Sequence, residues 1–73
     1  MTVEVFKTNV NRRKYAKALL AEIHETFADY RANFDLDDCD NILRVQCSSG
    51  TICANTMILF LKRFGYRAEV LTD

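Results

Sequence analysis

Val3-Glu-Val-Phe-Lys-Thr-Asn-Val-Asn-Arg-Arg-Lys-Tyr-Ala-Lys-Ala-Leu-Leu-Ala-Glu-Ile23 is the stretch that decides the fold. Its hydrophobic period changes once. Thr2 to Thr8 alternates, as a strand with one buried side does. Val3 and Val5 are expected on the core side, with Glu4 and Phe6 pointing the other way. Thr8 to Asn11 is a short loop, and Asn11 is a plausible helix cap. From Arg12 the period is helical. Tyr15, Ala16, Leu19, Leu20, Ile23 and Phe27 form one stripe, and Lys14, Lys17, Glu22 and Glu25 lie opposite.

Working outward, Tyr30 to Leu36 alternates again, with Ala32, Phe34 and Leu36 on one face. Asp37 to Asn41 is polar and turn-like. Ile42 to Cys47 is a third alternating run, with Leu43, Val45 and Cys47 inward, and the two runs make a hairpin. Ser48-Ser-Gly50 breaks the pattern and is placed to cap a second helix, Thr51 to Phe64. Ala54, Met57, Ile58, Leu61 and Phe64 form its core stripe. Gly65 sits where a left-handed residue ends a helix. Tyr66 to Thr72 is the last strand, with Tyr66, Ala68 and Val70 inward. The order β-α-β-β-α-β, with right-handed crossovers, gives an α+β ferredoxin-like sandwich. It has a four-stranded antiparallel sheet with two helices on one face.

At 73 residues this is a single domain, 1–73. Ten basic residues balance ten acidic ones, which argues against a general nucleic-acid binder. The longest apolar run, Met57 to Leu61, is far too short to span a bilayer. The start, Met1-Thr-Val-Glu, has no signal-peptide pattern. The expectation is a cytoplasmic protein with no membrane partner, its three cysteines reduced.

Two stretches, Val3-Glu-Val-Phe-Lys-Thr8 leading into the first helix and Phe64-Gly-Tyr-Arg-Ala-Glu-Val70, give the arrangement a family look. It resembles the heavy-metal-associated (HMA) domain of copper chaperones and metal-pumping ATPases, and the resemblance covers nearly the whole chain. The second stretch is similar to that family's Gly-Tyr-x-Ala-x-Val closing strand. The family's metal motif, M-T-C-x-x-C, falls at the end of the first strand. With Thr8 on its threonine, Lys7 takes the methionine's place, Asn9 the first cysteine's and Arg12 the second's. Both thiolates are missing, and soft metals such as Cu(I) need them. The resemblance therefore implies the fold while undermining the family's usual activity.

No other constellation supplies clear chemistry. Cys39 belongs at one end of the sheet and Cys47 and Cys53 at the other, so the three cannot share an ion. Cys47 with Cys53 is the remaining metal alternative, set against a reading as small core-edge residues. The acidic run Asp35 to Asp40 fails as an EF-hand loop, which needs Gly where Asp40 stands and Glu where Gln46 stands. His24 has no second ligand at metal spacing, since its neighbours four residues away are Leu20 and Ala28. No nucleophile–base pair, phosphate loop or carboxylate pair is visible, so no enzyme and no cofactor are expected.

Arg12, Arg13 and Lys14 crowd the first turn of the first helix, where the helix dipole favours acids. The acidic turn of Asp37, Asp38 and Asp40 is expected nearby and would neutralise them. Asn9, Asn11, Arg12 and Arg13 form the candidate partner surface, for an unknown protein or a small anionic ligand. Ile52 and Leu59, on the outer side of the second helix, are the candidate homo-oligomer contact. The expected function is a small non-enzymatic binding module, with heavy-metal binding or transport through Cys47 and Cys53 as the alternative.

Overall fold

The computed structural model describes residues 2–37 and 39–71. Four strands, β1 (Thr2–Thr8), β2 (Tyr30–Asp35), β3 (Ile42–Cys47) and β4 (Ala68–Val70), alternate with two helices, α1 (Arg13–Thr26) and α2 (Ala54–Arg63), in the order β-α-β-β-α-β. All strand pairs are antiparallel, and the spatial order is β2-β3-β1-β4. This is the ferredoxin-like α+β sandwich.

Register sets the faces. Phe6 lies opposite Leu43, and Leu43 opposite Phe34; Ala32 lies opposite Val45. These residues share the helix-facing side. Ala16, Leu19 and Ile23 of α1 and Met57, Phe60 and Leu61 of α2 join Phe6, Ala32, Leu43 and Val45 in one core cluster. Both helices therefore cover the same face. Phe27 continues the core past the end of α1, stacked on Tyr30 at 4.9 Å and edge-on to Phe60 at 5.2 Å.

β1 is turned over relative to the pattern in its sequence. Phe6 is fully buried, whereas Val3 is 42% exposed on the open face and Val5 is half-buried. Phe6 is the one large apolar side chain in the strand, and it faces the middle of the core. The two valines lose the core side because alternation lets only one parity face inward. Phe6 is thus absent from the open face, which holds Val3, Val5 and Ile42. Ile42 is buried yet lies outside the core cluster, opposite Lys7 and Asp35.

The helices begin later than their periodicity suggests. α1 is capped by Arg12, not Asn11, and with no side-chain hydrogen bond; Tyr15 is exposed. α2 is capped by Cys53, so Ser48 and Ser49 precede it in a loop rather than capping it. That shift makes Ile52 a loop residue that turns inward and is only 8% exposed, while Leu59 is 59% exposed. Phe60 takes a core place and Phe64, at the end of α2, is exposed. Gly65 does adopt the left-handed conformation, at φ 89°. The last strand is shorter than expected, with Tyr66 half-buried ahead of it and Val70 exposed. Thr72, where that strand was expected to end, and Asp38 of the acidic turn lie outside the described residues.

Candidate functional site

The loop after β1 is fastened on three sides. Thr8 is nearly buried, and its hydroxyl donates to the Asn41 carbonyl at 2.6 Å and accepts from the Val10 N–H at 3.2 Å. The Thr8 N–H donates to the Asp40 carbonyl at 3.1 Å, so the loop is sewn to the β2–β3 turn. Asn41 holds that turn in a left-handed conformation, φ 48°, which asparagine tolerates better than most residues. Val10 is fully buried and plugs the loop into the core. On the other flank, the Arg67 N–H donates to Asn9 Oδ1 at 2.8 Å, and the Asn9 N–H donates to the Arg67 carbonyl at 3.3 Å.

Asn9 therefore has a structural task. Its carboxamide holds Arg67, just ahead of β4. Asn11, Arg12 and Arg13 are exposed. In the acidic turn, Asp40 pairs with Lys7, Nζ to Oδ1 at 3.8 Å, and both side chains are well exposed. Such a pair contributes well under 1 kcal/mol.

A shallow cleft of about 570 Å³ opens beside the loop. Ile58, Tyr66 and Ala68 supply apolar walls, and Lys7, Lys62 and Arg67 supply positive charge, against a single acid, Glu69. Lys62 and Arg67 escaped the sequence reading of this site. The signal for Arg67 is the pairing of β4 with β1: once Ala68 lies opposite Thr8, Arg67 must come beside Asn9. A second groove of about 290 Å³ separates α1 from β2, with Arg13 and Lys17 on one wall and Asp35 and Asp37 on the other.

The cysteines are spread apart. Cys39 is exposed in the β2–β3 turn. Cys47 is buried at the far end of β3, opposite Thr2 and Tyr30, with Sγ 4.0 Å from Ser49 Oγ. Cys53 is exposed at the head of α2. Its thiol pKa is lowered, first by the Thr56 hydroxyl and then by the Thr56 backbone N–H; desolvation opposes this, and the Asn55 N–H adds the least. Among the described residues no group of three or more His, Cys, Asp or Glu is placed to hold a metal ion. His24 is engaged elsewhere: its Nε2 accepts the Ala32 N–H at 3.0 Å. No helix among the described residues is long and apolar enough to cross a membrane.

No family model, curated protein or solved structure matches this chain.

Proposed function

We propose that the chain is a non-enzymatic, cytoplasmic binding module, a divergent HMA-like domain whose loop end grips an acidic protein segment in place of a metal ion. The observation that carries this reading is the disposition of charge around the loop. Arg12 and Arg13 stand exposed at the positive end of α1, which has no acidic residue in its first turn and no side-chain cap. Of the acids at this end, Asp40 is engaged by Lys7, and Asp35 and Asp37 line a groove with Arg13 and Lys17. Lys62 and Arg67 extend the positive surface across the neighbouring cleft, whose apolar walls suit the carbon stems of glutamates. Arginine forks and helix-terminal N–H groups both favour carboxylate oxygens. The HMA kinship rests on the shared topology and on the Gly65-Tyr-Arg-Ala-Glu-Val70 closing segment.

The test is a titration of uniformly ¹⁵N-labelled protein with an oligoglutamate peptide. Amides of Asn9, Asn11, Arg12, Arg13 and Arg67 should shift, and the paired change Arg12→Glu with Arg13→Glu should abolish the response. Free glutamate giving the same affinity would replace the protein partner with a small anion. Unchanged peptide binding by the double variant would remove the proposal.

A further inference from the structure

A second surface lies on the outer edge of β2. β2 is an edge strand and, at six residues, presents twice the strand length of the other edge, β4. Backbone groups alternate sides along a strand. The Tyr30 N–H reaches the Phe27 carbonyl and the Ala32 N–H reaches His24 Nε2, both away from β3. Tyr30, Ala32 and Phe34 therefore turn their backbone polar groups outward, while Arg31, Asn33 and Asp35 turn theirs toward β3.

We propose that this edge is a latent self-association site for a second copy of the chain, kept shut by His24. An antiparallel two-fold centred on Asn33 puts Arg31 opposite Asp35 of the other copy, twice over. On the helix-facing side the same register sets Ala32 against Phe34 and Tyr30 against Leu36. Phe34, Tyr30 and Leu36 are each only half-buried in the single chain, so a second copy would cover them. Each Ala32–Phe34 pair is a hydrogen-bonded one, and it needs the N–H of Ala32. That N–H is the group His24 occupies. An edge with complementary charges and no proline invites pairing, and a side chain that consumes its central donor prevents it.

Arg31 and Asp35 have Gln46 and Ile42 as their neighbours on β3, so the register leaves neither with an opposite charge across the sheet. Asp35 also lines the groove with Arg13 and Lys17, which makes Arg31 the cleaner single change.

The experiment is sedimentation velocity on the full chain. Wild type should remain monomeric. His24→Ala, or His24→Lys, which offers donors but no acceptor, should raise the weight-average mass roughly two-fold at high concentration. Two variants serve in case one does not fold. Within that background Arg31→Asp alone and Asp35→Arg alone should each be monomeric, and an equal mixture of the two should associate. The proposal is overturned if folded His24 variants stay monomeric, if either charge variant still self-associates, if the mixture does not associate, or if wild type is already dimeric. The basic loop end plays no part here, so these results leave the acidic-peptide titration independent.

Discussion

Thr8 and Phe6 define the site between them, one by hydrogen bonds and the other by packing. They lie on the same side of β1, two residues apart. Phe6 anchors the strand under both helices, and Thr8 fastens the loop that follows. The size of these contributions can be checked. Phe6→Ala should destabilise the fold by about 3–5 kcal/mol, the usual cost of emptying a buried aromatic site. Val3→Ala, on the open face, should cost under about 1 kcal/mol. Urea unfolding of the two variants measures both. A larger loss from Val3→Ala would mean that the faces of β1 are reversed from those described. The residue identities alone do not decide those faces. One parity offers Val3 and Val5, the other Phe6 flanked by Thr2, Glu4 and Thr8, and counting apolar residues picks the wrong one. Only the position of Phe6 opposite Leu43 resolves it, and that is a property of pairing. Val10 is similar: a lone valine among asparagines reads as loop, and the core closes over it.

At the level of the element, α1 is built against its own dipole. Its start carries Arg13, Lys14 and Lys17, and its later turns carry Glu22 and Glu25. Acids first and bases last would be the stabilising order, worth a few tenths of a kcal/mol per charge. Its cap, Arg12, makes no side-chain hydrogen bond. Arg12→Asp should therefore raise stability by about 1 kcal/mol, since it supplies a capping oxygen and a favourable charge together. The same change should weaken oligoglutamate binding. Thermal unfolding and the peptide titration on this one variant read both effects, and stability gained at the expense of binding is the signature of a residue kept for contact. A variant that is less stable would show that Arg12 serves the fold. The helix itself is plain in the sequence, because a 3.6 period over fourteen residues is hard to mistake. Its first residue is not, since Asn11 and Arg12 are both polar and only backbone angles separate them. The start of α2 is harder still. Thr51, Ile52 and Cys53 suit a helix by pattern, but the chain spends them on a loop so that Ile52 can reach the core.

Across the whole molecule, topology was the most legible feature and charge placement the least. The βαββαβ order follows from the succession of periods, and from it the antiparallel sheet. The separation of Cys39 from Cys47 also follows, since β3 alone lies between them. Which cation meets which acid does not follow, because surface side chains choose partners by a few ångströms of geometry. Asp40 of the acidic turn reaches Lys7, and Arg67 comes beside Asn9 through the short pairing of β4 with β1.

The central claim is that this end recognises carboxylates where an HMA domain would hold a metal. One ¹⁵N-labelled sample, divided and titrated with oligoglutamate peptide or with Cu(I) and Zn²⁺, puts the two chemistries side by side. We expect the peptide to shift the amides of residues 9–13 and Arg67, and to lose its grip as salt is raised. We expect the metals to leave those amides unmoved. Metal-induced shifts at the loop, or at Ser48 to Ala54 around Cys47 and Cys53, together with silence toward the peptide, would contradict it.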